Sequence, residues 1–264
     1  MNMFWHELQA YRKSTLIWTF SLAALVILLL SMFPTFANNA AEVRKLLAGY
    51  PEGLLKALDL SLDNISSLLG YYPFVFVYVL LGGAIQAMNL GLSLLSKEAR
   101  LKTADFLLTK PVTRRQVLTA KLTAAVISLV FTNVSYLAVS SLMASLVSPE
   151  SYSIKIFLLI SVTLFFVQLI FMSLGILISA LIPQLKSVIS VSLGTVFAFF
   201  IISMLDSSLG EATVRYLSPF EYFDSTYIIQ NATYETSYLL LTFAIVLVSI
   251  TLSYVVYSRR DIRA

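Results

Sequence analysis

Cysteine is absent from the 264 residues and histidine occurs once. Such a chain can build no disulfide framework, thiolate metal site or cysteine nucleophile. Charge is scarce too: 12% of residues are Asp, Glu, Lys or Arg, where a soluble domain carries about 25%. Motifs are missing as well. There is no phosphate-cradling Walker loop, no glycine-rich dinucleotide turn, no His-Glu zinc spacing and no nucleophile elbow. The lone His6 reads as a surface or packing residue. These absences argue against an enzyme and leave nothing that would recognise nucleic acid.

What is present is apolar. Hydrophobic residues make up 58% of the chain and the mean hydropathy is +0.85. One soluble core cannot hide that much apolar surface, so lipid must solvate part of it. Six runs are long enough to cross a bilayer as helices: about residues 15–33, 71–95, 122–147, 156–182, 188–205 and 238–257. None contains Lys, Arg, Asp, Glu or His. The expected fold is an all-α integral membrane protein. The first run is too long for a signal-peptide core, and Phe33, Pro34, Thr35 and Phe36 make no small-residue cleavage site.

An even number of spans places both termini on one side. With the termini inside, 13 of the 18 cations fall in inner segments. Only Arg44, Lys45, Lys56, Lys155 and Arg215 remain outside. That asymmetry selects cytoplasmic termini. Residues 1–14 put Phe4, Leu8 and Tyr11 on one helical face and read as a short helix lying in the interface. Residues 34–70 and 206–237 are then the extracellular segments. The first has helix-like apolar spacing and predicts small helices. The second is rich in aromatics that suit the headgroup layer or a re-entrant turn shielded by protein.

Inside the spans the polar inventory is Gln86, Asn89, Asn133 and Gln168, with scattered Ser and Thr. No relay carboxylate or histidine lies at depth, which weighs against an ion-driven carrier. Gln86 and Asn89 suit interhelical glue or a cavity lining equally. Gly83, Ala87 and Gly91 recur every four positions and allow a close helix approach, within one subunit or between two.

The inner segment 96–121 reads SKEARLKTADFLLTKPVTRRQVLTAK. Leu101, Asp105 and Leu108 repeat at near-helical spacing. Pro111 interrupts any helix, and Thr113 with Gln116 has the form of a capping box. A helix, a sharp break and a second capped helix would present a docking surface, although its cations also serve as topology signals.

Here the chain resembles the permease subunits of ABC transporters, of the type-2 exporter class whose ATPase is a separate chain. The match runs through Glu98, Thr103, Asp105, Leu107, Leu108, Thr109, Pro111, Val112, Thr113, Arg114 and Lys121. Lys102 stands where the family has glycine, and Asp105 where it has a second Glu. The start (Glu7, Arg12, Lys13, Ile17, Trp18) and the stretch Tyr216–Phe223 are also similar to the family.

The resemblance implies a membrane subunit that pairs with an identical or homologous permease in a prokaryotic plasma membrane. It implies a cytosolic ATPase partner that holds the ATP and magnesium. Glu98, Thr103, Asp105, Pro111, Thr113 and Arg114 would form the coupling contact, with no catalytic residue in this chain. The competing readings are a membrane scaffold or sensor that recruits cytosolic partners, and a channel or ion-driven secondary carrier.

Overall fold

The computed structural model describes residues 2–50, 52–60, 65–101, 113–148, 151–182, 185–209 and 215–259. Every regular element among them is a helix. The first is α1, Asn2–Ser31, followed by three short helices: α2, Phe33–Asn38, α3, Ala40–Leu47, and α4, Glu52–Ala57. Three long helices come next: α5, Leu68–Leu101, α6, Arg114–Val147, and α7, Ile154–Leu181. Then follow α8, Val188–Leu209, the short α9, Ser225–Asn231, and α10, Thr236–Arg259. Five segments, α1 with α2, α5, α6, α7 and α10, are long and apolar enough to cross a membrane. The apolar stretch of α8, Val188–Met204, is shorter. The protein is an all-α integral membrane protein.

One expected boundary is wrong. Residues 1–14 do not form a separate interfacial helix, because α1 runs without a break from Asn2 to Ser31. No glycine or proline lies between those residues to interrupt it. The apolar stripe also continues across the expected turn. Tyr11, Thr15, Thr19, Leu22, Val26 and Leu30 are all buried at three- and four-residue spacing, so one face of the whole helix is held by the bundle. Tyr11 is buried, and Phe4 and Leu8 on the same face are partly buried against the core.

Helices α5 and α7 form the centre and press against each other along their length. Each buries 61% of its most apolar window, against 28% for α1 and 17% for α10. The peripheral helices expose Phe20, Leu28, Phe243 and Leu247, a surface suited to lipid tails. Helix α1 lies along α6, α10 lies on α7, and α8 packs on α5 with α4 laid against it.

At the α5–α7 crossing the backbones touch. A Cβ on Gly91 would stand 2.2 Å from the Met172 carbonyl oxygen, and one on Gly175 would stand 2.8 Å from that of Met88. Only glycine fits there. Gly83 faces Leu164 and Gln168 in the same groove, and Ala87 is fully buried. The small-residue stripe is therefore occupied within the chain.

Contacts near Glu7, Thr119, Lys121 and Tyr254 gather the start of α1, the start of α6 and the end of α10 at one end of the bundle. This is the terminal end. The opposite end carries α2 to α4 and α9.

Candidate functional site

The sequence-predicted residues fall into two groups. At the terminal end, Glu98 lies on the last turns of α5, while Thr103, Asp105 and Pro111 lie outside the described residues. The chain is described again at Thr113. Thr113 is the N-cap of α6 with extended backbone (φ −80°, ψ 150°). Its hydroxyl accepts from the Gln116 amide at 3.3 Å, and the Gln116 side chain accepts from the Thr113 amide at 2.9 Å. This reciprocal box satisfies two amides that the first turn would leave unpaired. Arg114 occupies the first helical position.

Lys121 sits two turns further along α6 and is 3% exposed. Its ammonium donates to the Leu94 carbonyl oxygen at 2.9 Å and stands 3.5 Å from the Glu7 carboxylate. A buried ammonium is tolerated only with such partners. The contact ties α1, α5 and α6 together at the terminal end. The Thr119 hydroxyl adds a 2.7 Å hydrogen bond to Tyr254 on α10.

In the middle of the bundle, the polar side chains bond to each other. Gln86 donates to Thr132 at 2.9 Å and accepts from Gln168 at 3.2 Å. Asn133 donates to Gln168 at 2.6 Å, and the Thr132 and Thr19 hydroxyls lie 3.0 Å apart. One chain of hydrogen bonds thus crosses α1, α5, α6 and α7. Because Gln86 and Gln168 are buried and partnered, they act as interhelical ties. Asn89 is half-buried on α5 and stands outside this chain. A second cluster, Tyr72 with Tyr136 at 2.5 Å and Ser161 at 2.7 Å, joins α5, α6 and α7.

The far end holds residues that the apolar-run reading missed. The segment 215–235 folds back into the bundle. Phe223 stacks on Phe166 with ring centroids 5.4 Å apart, and Phe220 meets Phe171 at 5.3 Å. Phe171 lies seventeen residues along α7, about 25 Å from its first turn at 1.5 Å per residue. The backbone is fastened on both sides. The Tyr234 hydroxyl donates to the Leu159 carbonyl at 2.6 Å, and Ser218 donates to that of Phe199 at 3.0 Å. Arg215 pairs with Glu235, donates to the Glu221 carbonyl and lies 4.2 Å over the Tyr238 ring.

Between this segment, α5 and α8 lies a cavity of about 360 Å³. Its walls include Phe76, Leu80, Phe200 and Phe220, and Asp59, Glu221 and Asp224 reach it from the connecting segments. Burial pushes the Asp59 carboxyl up to about 6; a hydrogen bond with Ser225 opposes that rise, and the neighbouring Asp224 adds to it. The sequence signal was present in the aromatic run Tyr216–Phe223. Counting charges inside apolar runs could not show that loops would carry carboxylates down to helix depth. No group of three or more His, Cys, Asp or Glu among the described residues could hold a metal ion.

A helical bundle with polar ties inside and five segments long and apolar enough to cross a membrane defines a multi-pass membrane protein. A family model described as ABC-2 family transporter protein matches residues 1–262, and the chain belongs to that family. It is a permease-type membrane component of an ABC transporter. No curated protein matches the chain.

Proposed function

We propose that this chain is the membrane subunit of an ATP-driven exporter, coupled to a separate ATPase and paired with a second, identical or homologous permease. Family membership over residues 1–262 is the observation that carries this reading. The geometry at the terminal end supports it. Helices α5 and α6 each have 34 residues, about 51 Å at the helical rise, against about 30 Å of hydrocarbon. The apolar run of α6 begins only near residue 122, so the excess stands at the terminal end. A capped helix start and the 96–121 connection are there for a partner to grip.

Movement imposed there has a route inward. Lys121 joins the base of α5 and α6 to α1, and the α5–α7 backbones touch at Gly91 and Gly175. Close-packed groups of this kind shift as units rather than deform. In this mechanism Glu98 and Asp105 face the ATPase, which binds ATP and magnesium, closes and carries the connection with it. The load moves along a path between two permeases.

The cation distribution supports a cytoplasmic terminal end, and the resemblance supports a prokaryotic plasma membrane. Cysteines at the exposed positions Asn38 and Ser151 should then react with an impermeant thiol reagent outside intact cells. Cysteines at Ser187 and Ser258 should react only after permeabilisation, and the reverse pattern would invert the orientation. The coupling role is tested by Glu98→Lys with Asp105→Lys. Placing cations where the ATPase meets acids should abolish copurification of the ATPase and leave size-exclusion behaviour of the permease unchanged. Normal copurification with normal ATP-dependent transport would remove the segment from the mechanism.

A further inference from the structure

We propose that α3 lies in the headgroup layer at the far end, with its apolar face against the acyl chains of that leaflet. The helix is short and two-faced. At helical spacing, Val43, Leu46, Leu47 and the following Tyr50 fall on one side. Ala41, Lys45 and Ala48 fall on the other, with Glu42 and Arg44 at the two borders. Eight residues are too few for a helix to persist in water without a surface to hold it. The bundle is not that surface. It buries no residue of α3 and leaves Leu46 and Tyr50 exposed by 72% and 54%.

The level at which α3 begins identifies the surface as lipid. Lys13 is the last cation before the apolar run of α1, and Phe33 stands twenty positions beyond it. That is about 30 Å along a helix, the thickness of the hydrocarbon layer. Helix α2 adds six residues. From Lys13 to Asn39 the rise is then at most about 39 Å, against about 40–45 Å for a bilayer with its headgroups. A second span gives the same level independently. The rings of Phe33 and Phe36 stand 5.5 and 5.1 Å from that of Tyr71, and Tyr71 donates to the Leu29 carbonyl at 2.9 Å. Tyr71 opens the apolar run of α5, so α2 is pinned where two spans leave the hydrocarbon. Asn39 turns the chain (φ −108°, ψ 25°), and α3 starts at the next residue. A helix set there, with leucines on one face, a tyrosine beside them and a lysine opposite, has the pattern of one lying in the interface. The interfacial role that the sequence suggested for residues 1–14 falls to α3, at the opposite end.

This placement rests on the chain crossing a membrane and not on its role in export. Because the sequence has no cysteine, a nitroxide can be attached at one position at a time. Single substitutions from Ala41→Cys to Ala48→Cys are labelled in the full-length permease and reconstituted in nanodiscs of phosphatidylcholine and phosphatidylglycerol. Power saturation of the spin-label spectrum measures collisions with oxygen, which concentrates among acyl chains, and with a water-soluble nickel chelate. The two should vary out of phase, each with the helical period. Oxygen access should peak at Val43, Leu46 and Leu47, and chelate access at Ala41, Lys45 and Ala48. The label at Leu46→Cys should meet the chelate about fivefold less often than that at Lys45→Cys. All positions are read together, so one misfolded variant does not decide the result. High chelate access at every position overturns the proposal, since water then surrounds the helix. Low access to both reagents at Val43, Leu46 and Leu47 overturns it too, since protein, such as a second permease, then covers that face.

Discussion

The two ends of the bundle treat charge in opposite ways. At the terminal end a buried ammonium is closed off, because Lys121 has the Glu7 carboxylate and the Leu94 carbonyl within reach. At the far end three carboxylates border an open cavity, and Asp59 bears the cost of desolvation. A satisfied ion pair fixes helices against each other, which suits a part that transmits movement. An acid held partly desolvated beside an aromatic-walled cavity carries a penalty instead, and the fold tolerates it because the surrounding packing is strong.

The largest effect expected from breaking this contrast is at Lys121. Lys121→Ala leaves Glu7, itself 15% exposed, and the Leu94 carbonyl without their cation. Removing one member of a buried pair costs about 4 kcal/mol. The thermal midpoint in detergent should fall sharply. Adding Glu7→Gln should recover part of the loss, since the orphaned charge is gone. A Lys121→Ala protein that melts with the parent would show that this end is not locked by the pair.

The next effect has the opposite sign and sharpens the comparison. The folded-state value of about 6 for Asp59 lies above the ordinary carboxyl value of 3.8, so the folded protein holds that proton more tightly than the unfolded chain. The associated stability is fully present below about pH 4 and is lost as pH rises through 6. That difference corresponds to at most about 3 kcal/mol. Asp59→Asn should therefore raise the midpoint at pH 7.5 and leave it unchanged at pH 4. Asn also accepts the left-handed backbone at that position. Equal melting of variant and parent at both pH values would mean that Asp59 carries no such strain.

How far these two ends were legible in the sequence follows from the range of the interactions involved. Thr113 and Gln116 are three residues apart, and a local pattern such as theirs can be read directly. Gln86, Asn133 and Gln168 stood out as polar groups in apolar runs, but their mutual bonds join three helices and needed the packing. Glu7 and Lys121 were each visible, yet their contact spans more than a hundred residues. The continuity of α1 was missed because Arg12 and Lys13 look like the end of a surface helix just before the apolar run, whereas the buried stripe of Tyr11, Thr15 and Thr19 carries the helix straight through. Asp59 and Asp224 were invisible for a related reason: hydropathy assigns loops to water, and these loops fold back beside α5 and α8.

The smallest effect concerns Thr113, and it separates the two ends by location rather than by size. The residue is exposed, so its substitution opens no cavity and strands no buried charge. What it loses is the cap on α6, with the Gln116 amide left to water. Such losses amount to about 1 kcal/mol for Thr→Ala, and serine retains the bond. Because the first turn frays locally, amide hydrogen exchange should quicken in Thr113→Ala over residues 114–118, while amides of α9 near the cavity exchange as before. Thr113→Ser should match the parent in both places. A global rise in exchange would mean that the cap supports the whole bundle. Identical exchange in Ala, Ser and Thr proteins would mean that the box contributes nothing, and that stiffness at the terminal end comes from Lys121 alone.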